Sequence, residues 1–112
     1  MFSREEYFSI IRPDVLLLKT YPDSEKFKND KFWGRATLRS GEPVESGFKM
    51  KWHNLGPGRI QLRLCVALVK KTAFLCQAFV KSSKIRDKAQ AALLLQRIDL
   101  IEQGFYEKRG NL

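Results

Sequence analysis

No stretch of this 112-residue chain is apolar for long enough to cross a bilayer, which excludes a membrane-spanning helix as its organising element. Metal-binding side chains are scarce as well. Two cysteines and one histidine cannot build a standard structural zinc site. The fold must therefore rest on an apolar core, which a chain of this length supplies as a single domain over 1–112. The opening Met1-Phe-Ser-Arg-Glu-Glu6 does not read as a signal peptide, so the expected location is cytoplasmic, with Cys65 and Cys76 reduced and buried. No internal repeat or low-complexity segment is visible.

Acidic residues are missing from one half of the chain. Residues 1–47 balance eight Lys/Arg with eight Asp/Glu, whereas residues 48–112 set thirteen basic residues against Asp87, Asp99, Glu102 and Glu107. The net charge of +9 therefore belongs to the second half, and between Phe48 and Ile98 only Asp87 is acidic. Such an asymmetry favours a polyanionic partner, either nucleic acid or an acidic protein; the plainer alternative is a solubilising surface.

The N-terminus admits two readings. Ser3-Arg-Glu-Glu6 is a capping-box pattern that can open a short helix, whereas the aromatic and β-branched content of Tyr7-Phe-Ser-Ile-Ile11 favours a strand, and the strand is the preferred reading. Pro13 suits a first helical turn, and Asp14 to Thr20 then predicts a compact helix that stops before Tyr21-Pro22. Ser24 can cap a second helix from Glu25 to about Lys31, with acid near its start and lysines near its end. Gly34, Gly41, Pro43 and Gly47 interrupt any long period after it, which leaves a loop with one short strand around Arg35–Leu38.

Alternation is clearest after residue 47. Phe48, Met50 and Trp52 share one face of a strand whose other face carries Lys49, Lys51 and His53. Asn54-Leu-Gly-Pro-Gly58 is a turn by composition. In the next strand, Arg59 to Leu68, Ile60, Leu62, Leu64, Val66 and Leu68 form an apolar face, and Arg63 points to the side shared with Gln61. A basic turn follows, then the strand Ala73–Val80; if Lys70-Lys71 is a two-residue loop, Cys65 and Cys76 lie opposite each other. Ser82 or Ser83 can cap the last helix, whose stripe of Ala91, Leu94, Leu95, Ile98 and Ile101 runs until Gly104 stops it. The expected class is α+β: an N-terminal strand and two helices, a central antiparallel sheet of three to four strands, and a C-terminal helix.

Leu62-Arg63-Leu-Cys-Val-Ala67, then Thr72-Ala-Phe-Leu-Cys-Gln-Ala-Phe79-Val-Lys81-Ser-Ser-Lys84, then Ala91-Ala-Leu-Leu-Leu-Gln-Arg97-Ile resembles the closing half of the RelE/HigB-type toxins, in particular their phage-derived branch. Phe48-Lys-Met-Lys51 stands where that family usually has an aromatic-Glu-Leu-Arg strand, so Lys49 and Lys51 replace an acidic residue and an arginine. The resemblance implies a small RelE-like fold and a toxin of a type II toxin-antitoxin system that cuts mRNA, most naturally on the ribosome, and so inhibits translation. It implies as partners a cognate antitoxin, a small helix-turn-helix protein, together with mRNA and the ribosome. No cofactor or metal is called for. Some relatives of this fold poison gyrase instead, and a non-catalytic basic module that binds nucleic acid or protein is the alternative from another class.

Cleavage of RNA by its own 2′-hydroxyl needs a base near that hydroxyl, positive charge on the phosphate and an acid for the departing 5′-oxygen. Arg63 is the candidate phosphate clamp, since its planar fork stays protonated; otherwise it is a surface strand arginine. Lys51 and Lys81 can add charge or, with a lowered pKa, transfer protons, or else are simply solvated. His53 beside a basic cluster is a candidate neutral general base, set against a merely structural or exposed histidine. Lys49 and Arg59 are assigned to RNA binding, and Lys84, Arg86 and Lys88 to the RNA backbone or the ribosome. Trp52 shares the parity of Phe48 and Met50, so core packing is its expected role.

Overall fold

In the computed structural model, residues 5, 7–55, 59–81 and 84–104 are described. Four antiparallel strands, β1 (Trp33–Thr37), β2 (Pro43–Leu55), β3 (Ile60–Val69) and β4 (Thr72–Val80), form one sheet in the order β1-β2-β3-β4. Helical turns precede the sheet: a π turn at Tyr7–Ile11, the helix α1 (Arg12–Leu16) and 3-10 turns at Leu17–Thr20 and Glu25–Lys28. The helix α2 (Lys84–Glu102) follows it. The class is α+β.

The expected N-terminal strand at 7–11 is absent; Tyr7–Ile11 is helical and continues into α1. Tertiary burial overrides its β propensity, because a helical path carries Ile11, Val15 and Leu18 onto the sheet together. The capping-box residues Ser3, Arg4 and Glu6 lie outside the described residues. Pro13 sits in the first turn of α1, as its missing N–H allows. The second helix is shorter than expected, a single 3-10 turn, yet Ser24 caps it as anticipated by accepting from the Lys26 N–H.

Both faces of the sheet are buried. On one, Ile11, Val15 and Leu18 pack with Phe32, Trp33, Met50, Trp52, Leu62 and Val66. On the other, Ala91, Leu94 and Ile98 of α2 pack with Ala36, Val44, Cys65, Ala67, Val69 and Phe79. β3 is the central layer of this arrangement, which is why its sequence is apolar on both parities and not only at the even positions. Leu95 and Ile101 flank the helix stripe as predicted, and Gly104 leaves α2 at φ +84. The cap expected at Ser82 or Ser83 lies outside the described residues, as do 56–58 of the expected turn; β2 itself runs on to Leu55.

Two close approaches set the geometry. A β-carbon at Gly47 would stand 2.7 Å from Val44 Cγ1 and 3.0 Å from Leu94 Cδ2, so glycine lets α2 press on β2. On the opposite face the buried Asp14 carboxylate accepts from Trp52 Nε1 at 2.9 Å and from Lys26 Nζ at 2.6 Å, fastening α1 to the sheet. Trp52 is therefore a core residue with a satisfied N–H.

The two-residue loop at Lys70-Lys71 forms, with both residues at positive φ. Cys65 and Cys76 nevertheless do not face each other: a register shift pairs Cys65 with Gln77 and Val66 with Leu75, leaving Cys76 as the extra residue of a bulge. The bulge exposes a backbone acceptor that the ladder no longer uses. Arg97 of α2 donates to that Cys76 carbonyl and, at 3.3 Å, to Gln77 Oε1. Both cysteines are free thiols, but only Cys65 is buried as expected; Cys76 is half-buried, which pushes its thiol up.

Candidate functional site

Alternation along β2 and β3 puts Lys49, Lys51 and His53 on the α2 side of the sheet together with Arg63. Lys51 and Arg63 are direct cross-strand partners, and Arg63 pairs in turn with Phe79 of β4. Lys81 follows β4 two positions beyond Phe79, and its N–H donates to the Gln61 carbonyl at 2.9 Å. Four of the predicted residues, Lys49, Lys51, Arg63 and Lys81, are thus brought together.

The Lys51 ammonium registers that company. Its pKa is lowered from the ordinary lysine value, first by burial and then by the charges of Lys49, Arg63 and Lys81, with Asp30 acting in the opposite sense. The ammonium donates to the Asp30 carbonyl at 2.7 Å. His53, exposed at the rim, makes a 2.6 Å contact from Nε2 to the Lys31 carbonyl. A lysine whose charged form is disfavoured thus shares its strand face with a histidine two residues on, and both are side chains able to transfer protons.

Arg63 sits differently from a surface clamp. It is only 3 % exposed, and its guanidinium donates to the Trp52 and Leu62 carbonyls at 3.4 and 3.2 Å and to Gln61 Oε1 at 3.1 Å. It shares a side with Gln61, as the alternation implied, but its fork is turned into the sheet. Its charge therefore acts from beneath Lys51, while Lys49, Lys51 and Lys81 are half-buried and His53 is exposed.

The remaining backbone-binding candidates are dispersed. Arg59 is exposed at the start of β3 with φ +51. Lys88 donates to the Thr37 hydroxyl and so ties α2 to β1. Lys84 and Arg86 belong to the opening turns of α2, and their side chains lie outside the described residues. Three contributors escaped the sequence reading: the Asp30 and Lys31 carbonyls and Gly34, where a β-carbon would stand 2.9 Å from Lys51 Nζ. Only the glycine left a trace in the sequence, as an interruption of the short strand. Among the described residues no three His, Cys, Asp or Glu side chains converge as metal ligands, and no helix is long and apolar enough to cross a membrane. No family model, curated protein or solved structure matches the chain.

Proposed function

We propose that this chain is a RelE/HigB-like toxin, a cytoplasmic endoribonuclease that cuts mRNA on the ribosome and whose cognate antitoxin covers the basic face with an acidic or amphipathic segment. The observation that carries the reading is the Lys51–Arg63 cross-strand pair, with Lys49, Lys81 and His53 around it on one face. The motif resemblance over residues 62–97 supports the same assignment.

The chemistry follows from the roles these groups can fill. His53 takes the proton of a ribose 2′-hydroxyl; the 2′-oxygen attacks the adjacent phosphorus as the bond from phosphorus to the 5′-oxygen breaks. Lys51, holding its proton weakly, gives it to the departing oxygen. Lys49 and Lys81 hold the phosphate oxygens, and Arg63 adds its field from below. The products are a 2′,3′-cyclic phosphate and a 5′-hydroxyl. Four cations around the phosphate do by charge what a divalent ion would do, so the reaction is written without one.

A second reading is a non-catalytic basic module that grips a polyanion. The burial of Arg63 and the engagement of Lys51 and His53 by backbone carbonyls favour it. Induced expression without an antitoxin separates the possibilities. Growth and translation arrest with fragmented mRNA supports the nuclease, whereas arrest with intact mRNA and failing DNA supercoiling moves the protein to a gyrase-directed role. Normal growth at high soluble expression removes the toxin reading and leaves the binding module.

A further inference from the structure

Three consecutive backbone carbonyls reach β2 from the segment before β1. The Asp30 carbonyl accepts from Lys51 Nζ at 2.7 Å, the Lys31 carbonyl contacts His53 Nε2 at 2.6 Å, and the Phe32 carbonyl accepts the Lys51 backbone N–H at 2.7 Å. Gly34 completes the segment with an empty side-chain position: a β-carbon there would stand 2.9 Å from Lys51 Nζ and 3.3 Å from its Cε. These supports of the two side chains are main chain and the open side-chain position of a glycine.

A carbonyl oxygen only accepts, so the hydrogen in the His53 contact belongs to Nε2. In the neutral ring the second nitrogen then carries the lone pair, and Nδ1 becomes the basic atom of an exposed imidazole. The Lys51 ammonium is held at one point by Asp30 and needs the space above Gly34 to occupy it. A side chain at 34 would push the ammonium aside at little cost to the fold, since a lysine tip moves easily.

We infer that residues 30–34 form a positioning cradle, in which the Lys31 carbonyl fixes His53 as its Nε2–H tautomer and Gly34 keeps open the slot for the Lys51 ammonium. The catalytic meaning of the cradle rests on the proposed nuclease reading; the geometry can be tested without it.

His53 is the only histidine in the chain, so its ring nitrogens give an unambiguous signal in long-range 15N–1H spectra. The expected pattern above its titration is a protonated Nε2 and a bare Nδ1; a protonated Nδ1 would overturn the tautomer assignment. Gly34→Ala should remain folded and shift the Lys51 side-chain amine resonance, and an unmoved resonance would overturn the slot. In cleavage assays Gly34→Ala should lower kcat about 10- to 100-fold with KM nearly unchanged, as small misplacements of reacting groups do. An unchanged kcat, or a loss confined to KM, would overturn action through Lys51. Both spectroscopic arms are read without substrate. A wild-type chain that fails to cut RNA therefore sinks the proposed function, while the cradle stands or falls on its own signals.

Discussion

Lys51 and Arg63 face each other across β2 and β3, two cations in direct register, and they meet opposite fates: the arginine is buried against backbone carbonyls while the lysine stays half-exposed with its pKa lowered. Burial of Arg63 holds its guanidinium against main-chain carbonyls, and its charge acts on Lys51. In the proposed nuclease the lysine is the chemical group and the arginine its electrostatic floor.

Arg63→Ala is for this reason a stability mutant as well as a site mutant. It removes donors from the Trp52 and Leu62 carbonyls and empties a buried volume, which should lower the unfolding free energy by about 2–4 kcal/mol. Urea denaturation measures it. A loss of toxicity in this variant without a stability change would show instead that Arg63 acts at the substrate.

The depressed Lys51 pKa fixes the sign of a pH effect. The folded state releases this proton before the unfolded state does, so the stability cost of a charged, partly desolvated Lys51 is present at neutral pH. It is recovered as pH rises through the folded pKa toward the ordinary value of 10.5. The difference in unfolding free energy between wild type and Lys51→Met should therefore shift in favour of wild type between pH 7 and 10. Paired urea melts across that range check it, and a pH-independent difference would contradict the shift.

Gly47→Ala tests the packing of α2. The added methyl group would meet Val44 and Leu94 inside contact distance in a buried setting, at an expected cost of about 1–3 kcal/mol. Thermal unfolding reads the effect directly, and an unchanged Tm would mean that α2 does not sit this close to β2.

The hairpin at Lys70-Lys71 holds two lysines at φ +50 and +64, where a side chain is disfavoured. Asn-Gly suits that two-residue turn, and the double substitution should raise stability by about 1 kcal/mol or more. A lower Tm would contradict the turn geometry.

Local pattern carried much of the fold. Alternation in Phe48–His53 and Ile60–Leu68 placed the two central strands and put Lys49, Lys51 and His53 on one face, and the stripe through Ala91 and Ile98 placed α2. What stayed hidden depends on partners far along the chain. Nothing near Tyr7–Ile11 announces that helical geometry will win over β propensity there, and nothing near Cys76 announces a bulge whose carbonyl is met by Arg97, 21 residues later. Arg63 was legible as the arginine beside Gln61 but not as a buried one, because its burial needs the other face of β3 to be covered too. The cradle is backbone, and a backbone carbonyl has no letter in the sequence.

The proposed nuclease opens RNA through its own 2′-hydroxyl with His53 and Lys51, and the end groups of cellular mRNA test that most directly. After induction of the wild-type chain, mapped fragments should carry 5′-hydroxyl and 2′,3′-cyclic phosphate ends. Equal soluble expression of His53→Ala or Lys51→Met should produce few or none. Intact mRNA with the wild type, or 3′-hydroxyl ends that persist in both variants, would contradict it.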